Sequence, residues 1–176
     1  MRSRIDAAQI GTAPHLVLSC IPLERPITRE VVRQTIDGLI QGGTLSESLA
    51  DQVDREGIVR FFLSRLGQIA LDPVNRVYGE WLFTMRIPAD EVLGQGAGTE
   101  PVVLQGVADL VVVTPTGAVV IDFKPDQNSQ DQMGLNEVLY GRQVAIYARA
   151  VESILGVTVT ARWIYYLADD RAVSVA

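Results

Sequence analysis

GVADLVVVTPTGAVVIDFK, residues 106–124, reads as two β-strands folded back on one another around Thr114-Pro115-Thr116-Gly117. Turn-forming residues separate two Val- and Ile-rich runs, and a four-residue hairpin loop sets Val113 opposite Ala118. Counting back four residues on each strand brings Asp109 opposite Asp122. Lys124, two residues beyond Asp122, shares its face. Leu110, Val111, Val112, Val119, Val120 and Ile121 make both faces apolar, the pattern of a central strand covered on both sides. Two carboxylates and one ammonium therefore interrupt an otherwise hydrophobic hairpin. Directly opposed like charges destabilise a sheet by roughly 0.2–1 kcal/mol, and more when buried, so the pattern calls for a compensating cation, of which a divalent metal is the natural choice.

The segment before this hairpin extends the cluster. Residues 77–87 (VYGEWLFTMRI) alternate as a strand, with Tyr78, Glu80, Leu82 and Thr84 on one face and Val77, Trp81, Phe83, Met85 and Ile87 on the other. Residues 88–101 have loop chemistry. If Ile87 pairs with Val102, Glu80 falls opposite Asp109 and becomes a third carboxylate at the same place.

Upstream lies a helical portion of about 70 residues. Residues 1–9 read as a loose entry; Thr12 is a candidate cap and Pro14 fits a first turn, followed by an apolar face from Leu16, Val17, Leu18, Cys20 and Ile21. His15, the one histidine of the chain, stands in that first turn. It either packs locally or turns to the carboxylates, where a neutral imidazole is a good metal ligand. Thr28 caps a second helix that stops at Gly42-Gly43, Thr44 and Glu47 have capping-box spacing, and Ile58 to Ile69 form one further helix. Downstream, a polar connection (125–133) leads into a long helix ending at Gly156. Its Tyr140, Gln143 and Tyr147 share one face. That stripe is either ordinary packing or a face turned to the carboxylates or to nucleic acid. A strand over 159–167 and a short one from Ala172 close the chain.

Composition narrows the function classes. The 176 residues are one domain's worth, with 48% hydrophobic and 20% charged residues, as in a globular α/β protein. A net charge of −6 argues against an autonomous nucleic-acid binder with a broad basic field, though not against a nuclease whose substrate is delivered to it. There is no apolar run of membrane-spanning length, no leader, no phosphate loop and no G-x-G-x-x-G fingerprint, so the expectation is a cytoplasmic protein without membrane contact or a nucleotide motor. The one cysteine, Cys20, reads as a buried, inert thiol and cannot build an iron–sulfur cluster, so none is expected.

In order and spacing, GTAPH (11–15), Glu80, GVAD (106–109), IDFK (121–124) and QVAIY (143–147) resemble the RecB-like nuclease branch of the PD-(D/E)XK superfamily. The text between them is most similar to the nuclease domain of AddA-type subunits of bacterial helicase-nucleases, over nearly the whole chain. The resemblance implies a restriction-endonuclease-like α/β fold: a mixed sheet flanked by helices, in one nuclease domain over 1–176 with a helical portion (1–70) and a catalytic sheet-and-helix core (71–176). It implies that His15, Asp109, Asp122 and the Phe123 carbonyl hold Mg²⁺ or Mn²⁺, that Lys124 orients or activates the attacking water, and that Glu80 supports the metal or its waters. Gln143 and Tyr147, with Tyr140 beside them, would position DNA or support the active site. The implied function is a DNA exonuclease module in double-strand break repair and recombination, its single strand delivered by a helicase region and working with a second nuclease subunit. Alternatives are a catalytically silent scaffold of the same fold or a self-contained nuclease with another substrate. Pro125, where the family usually has Thr, is the main departure, since it removes a hydroxyl and a backbone donor beside the lysine.

Overall fold

The computed structural model describes residues 13–24, 26–93, 96, 98–124 and 133–175. Five of its helices precede the sheet: α1 (Ala13–Cys20), α2 (Arg29–Gln41), α3 (Glu47–Ala50), α4 (Arg55–Leu63) and α5 (Arg65–Ala70). Then come β1 (Arg76–Pro88), α6 (Ala89–Leu93), β2 (Pro101–Thr114), β3 (Gly117–Lys124), α7 (Met133–Leu155), β4 (Val159–Tyr166) and β5 (Arg171–Ser174). The strands form one mixed sheet in the order β1-β2-β3-β4-β5, with β3 and β4 parallel and joined across α7, and the other neighbours antiparallel. This is the expected mixed α/β architecture. The expected loose entry over residues 1–9, the Thr12 cap and residues 125–132 of the polar connection lie outside the described residues.

Local chemistry sets the helix limits. Thr28 caps α2 by accepting from the Val31 amide. For α3 the cap is Ser46, which accepts from Leu49, rather than Thr44. The single helix expected over 58–69 is two, because Ser64 ends α4 in an extended conformation and caps α5 through the Gly67 amide. Gly67 explains the break: a Cβ there would lie 2.1 Å from the Phe61 carbonyl oxygen, so the second helix folds back directly on the first. The loop expected over 88–101 begins with the short α6. Cys20 is exposed, not buried: Val17, Leu18 and Ile21 take the core side of α1, and Cys20 falls on the outer side.

Each sheet face has its own core. Val17, Val32, Ile36, Ile58, Phe61 and Leu66 from α1–α5 cover Leu110, Val112, Val119, Ile121 and Phe123. On the opposite face Val144, Tyr147, Ala150 and Val151 of α7 cover Phe83, Ala108, Val111, Ala118 and Val120. Phe61 makes edge-on contacts with both Phe123 and Tyr165, which anchors the C-terminal end of β3.

The expected registers hold at both hairpins. Val113 faces Ala118, and pairing continues to Thr114–Gly117, so the loop is tighter than four residues. Ile87 faces Val102, and the register is unchanged as far as Arg76–Val113. Within β1, however, Glu80 is skipped by the ladder and has φ +46°. Alternation restarts out of phase beyond it: Val77 packs with the α1–α5 core, whereas Trp81, Phe83, Met85 and Ile87 join the α7 core. The expectation that Val77 and Trp81 share a face is therefore wrong, because a left-handed residue in the strand shifts the pleat by one. β2 makes the matching change at Asp109, with Ala108 on the α7 side and Leu110 on the other. In the far half of the β1–β2 pair the buried side chains, Phe83, Met85 and Ile87, are those of the α7 face, and Leu82 (79% exposed) and Val103 (67% exposed) lie open on the other.

Gly117 is required by its backbone. Its φ is +143°, and a Cβ would come within 2.7 Å of the Thr158 carbonyl oxygen. Gly117→Ala is expected to lower the unfolding free energy by about 1–3 kcal/mol, measured by urea denaturation followed by circular dichroism; an unchanged midpoint would contradict this packing.

Candidate metal centre and lysine clamp

Five elements bring the site together. α1 lies close against β1 because Gly79 has no side chain: a Cβ there would be 3.0 Å from the Ser19 Cα. His15, one turn before Ser19 on the same side of the helix, is thereby held over the middle of the sheet. Its Nε2 is 2.9 Å from the Phe123 carbonyl oxygen and 3.7 Å from Asp109 Oδ2. Because a carbonyl can only accept, Nε2 carries the proton in this arrangement. Asp109 Oδ2 in turn accepts from the Phe123 amide at 2.8 Å. The β2–β3 ladder ends at Leu110–Ile121, and the Asp109 carboxyl takes the next strand's amide in place of a backbone carbonyl. Asp109 and Asp122 therefore meet through side chains rather than as a regular ladder pair.

Glu80 completes the cluster. One ligand atom each from His15, Glu80 and Asp109 lie within 4.8 Å of one another. Asp122 is 1% exposed and stands on the α7 side of β3, where its Oδ2 is 2.6 Å from Lys124 Nζ. Lys124 Nζ also lies 3.4 Å from Gln143 Oε1 and 4.3 Å from the centre of the Tyr140 ring. Gln143 Nε2 donates to the Tyr147 hydroxyl. The Tyr140, Gln143 and Tyr147 stripe thus does both things left open from the sequence: Tyr147 is buried in the α7 core against Phe83, and all three line the lysine side of the site.

The electrostatics are strained in one direction. Burial, then the neighbouring Asp122 charge, holds the Asp109 carboxyl well above the ordinary carboxylate range. Burial also raises Asp122, against the pull of Lys124, and raises Glu80. It lowers His15, keeping the imidazole neutral and able to ligate. Glu80 Oε1 and Asp122 Oδ1 are buried without a hydrogen-bond donor among the described residues. Three ionised carboxylates against one ammonium leave two negative charges, which a divalent cation would balance. Oxygen ligands with one imidazole suit Mg²⁺ or, better, Mn²⁺.

Two features of the site were not legible in the sequence. The Gly79–Ser19 contact that sets α1 in place had one signal, a glycine inside a strand pattern. The left-handed backbone at Glu80 had none, since glutamate does not favour it.

The sequence profile of the PD-(D/E)XK nuclease superfamily matches residues 1–174. An ATP-dependent helicase/nuclease subunit of Pediococcus pentosaceus is 31% identical over 174 residues, covering 96% of this chain and 14% of that protein. The proteins of the same description from Levilactobacillus brevis and from Bacillus cereus strain Q1 are 32% and 31% identical, with the same shares. The chain thus spans about 14% of the length of the curated relatives it matches. The crystal structure of SSO0001 has a TM-score of 0.40 and 16% identity over 90% of this chain and 63% of that one, too distant to argue from.

The raised Asp109 pKa carries a sign. Between the ordinary carboxylate value and the raised one, the folded chain holds a proton that the unfolded chain has lost, so this group's contribution to stability falls as pH rises through that window. In EDTA, Asp109→Asn should be more stable than wild type at pH 7, with the gap closing toward pH 4, measured as thermal midpoints across pH; a gap independent of pH would refute the assignment. Glu80→Gly should relieve the left-handed backbone and raise stability by about 1 kcal/mol while weakening Mn²⁺ binding in calorimetry. Loss of stability in that variant would show that the Glu80 backbone is unstrained.

Proposed function

The chain belongs to the PD-(D/E)XK nuclease superfamily, and from that premise we propose that it is a divalent-metal-dependent DNA exonuclease domain, one module of a helicase-nuclease acting in double-strand break repair and recombination. The observation that carries this reading is the convergence of His15, Asp109, the Phe123 carbonyl, Asp122 and Lys124 where the C-terminal end of β3 meets the middle of β2. Residues 1–176 act as one domain in it, since the helical portion supplies His15 and the sheet the carboxylates.

His15 Nε2, Asp109, Asp122 and the Phe123 carbonyl would hold Mg²⁺ or Mn²⁺, with Glu80 behind them. Bound there, the cation supplies Lewis acidity, polarising the phosphodiester and offsetting charge on the leaving oxygen. For His15 and Phe123 this means exchanging their mutual hydrogen bond for ligation. Lys124 directs an ammonium to where the attacking water and the phosphoryl oxygens meet, orienting the one and stabilising negative charge gathered on the others. Attack by water on phosphorus breaks one P–O ester bond, leaving a phosphate monoester on one product and a hydroxyl on the other. Gln143, Tyr147 and Tyr140 border the approach of the strand on the α7 side.

Substrate delivery fits the charge. With a net charge of −6, the domain has little means of gathering DNA by itself. Its relatives are about seven times longer and carry helicase in their name, so a helicase region that feeds a single strand, with a second nuclease subunit handling the other, is the partner set proposed. Such a machine works in the cytoplasm. Among the described residues no helix is long and apolar enough to cross a membrane.

The test is cleavage of end-labelled single-stranded DNA at low salt with Mg²⁺, Mn²⁺ or EDTA. Metal-dependent cleavage is expected, falling by about 10²–10³-fold in Lys124→Ala with circular dichroism unchanged. Calorimetry should show Mn²⁺ binding to the wild type and its loss in Asp109→Ala. An inert wild type that still binds Mn²⁺ would point to a need for the delivering partner; absence of metal binding would leave the silent scaffold as the better reading.

A further inference from the structure

Lys124 stands between two elements with opposite claims on it. From β3, Asp122 Oδ2 approaches Nζ at 2.6 Å. From α7, the Tyr140 ring lies 4.3 Å from Nζ and Gln143 Oε1 is 3.4 Å away. An ammonium has three donors and a charge strongly drawn to a buried carboxylate. It already makes a close ion pair with Asp122 Oδ2, and Tyr140 and Gln143 meet it from the other side.

The geometry points to Tyr140 as a positioning residue: its ring face holds the Lys124 ammonium from the α7 side while Asp122 holds it from β3, a seat that would not be lost if a cation claimed the carboxylate. This deepens the nuclease reading and rests on it for its catalytic consequence. The chemistry of the seat matters. A ring face attracts an ammonium within about 6 Å but offers no lone pair to a divalent cation. A carboxylate in the same place would hold the lysine equally well and would also compete for the metal. Gln143 adds a directed acceptor: because its Nε2 donates to Tyr147, its Oε1 is the atom turned to Lys124. The ammonium can only donate, so it takes the Oε1 end and leaves Nε2 to the hydroxyl of Tyr147, which is buried in the core.

Two measurements test the seat. In proton NMR, the Lys124 ε-methylene, assigned by comparison with Lys124→Arg, should be shifted upfield by the ring. That shift should persist in Tyr140→Phe and vanish in Tyr140→Leu, with and without Mg²⁺. A wild-type shift at the ordinary lysine position, or one unaffected by Tyr140→Leu, overturns the proposal. In cleavage assays, Tyr140→Leu should lower kcat roughly tenfold with KM for DNA unchanged, and Tyr140→Phe should restore most of the rate. Equal kcat in the Leu and Phe variants, or a change confined to KM, also overturns it, and would make Tyr140 a DNA contact instead. If the wild type neither cuts DNA nor binds Mn²⁺, the nuclease reading fails by itself, and the NMR comparison still decides the seat.

Discussion

Three carboxyl groups and one ammonium share a site whose walls are otherwise packed side chains. Withdrawing an ion from water costs several kcal/mol even after a protein relaxes around it. An arrangement with Asp109, Asp122 and Glu80 this close, against Lys124 as the one cation of the cluster among the described residues, is thus a fold carrying a deficit of positive charge at its centre. The helices on either side contribute where that deficit is met. α1 brings a neutral imidazole and α7 brings amide, phenol and ring faces; among the described residues neither adds a carboxylate to the cluster.

Precision at the site comes from apolar contacts further back. The ring of Phe123 is held edge-on by Phe61, so the backbone on both sides of it is fixed, and that backbone supplies the amide for Asp109 and the carbonyl for His15. Removing a buried phenylalanine such as Phe61 typically costs about 3–5 kcal/mol. Here the same ring also governs the placement of two polar groups it never touches. The Gly79–Ser19 approach does for His15 what Phe61 does for Phe123.

Much of this was readable from the chain because β-strands are periodic and hairpin turns fix register. TPTG set Val113 opposite Ala118, and that one pairing brought Asp109, Asp122 and Lys124 together. The longer count from Ile87 and Val102 to Glu80 also succeeded in register, though it misjudged the faces. A period of two carries through a strand only while each residue stays extended, and Glu80 does not. The helix break at Ser64 escaped for a related reason: the apolar spacing from Ile58 to Ile69 is continuous, and only the contact of Gly67 with the preceding turn shows that two helices are needed. Cys20 was misread because helical spacing gives the width of an apolar face but not its rim. The Lys124–Tyr140 contact joins β3 to α7 across 125–132, and sequence spacing has no hold on a pair separated in that way.

The switch of faces at Glu80 and Asp109 also divides the β1–β2 pair into two mechanical regimes. From Arg76 to Gly79 and from Leu110 to Thr114 the strands lie between helices on both sides; beyond the switch, Leu82 and Val103 are exposed and the buried side chains are those of the α7 face. Local opening draws on buried contacts, and these are fewer in the outer half. The hairpin can therefore fray inward from its loop as a cooperative unit of its own and halt at the acidic cluster, which sits at the border of the more stable part and is spared the motion of its neighbour.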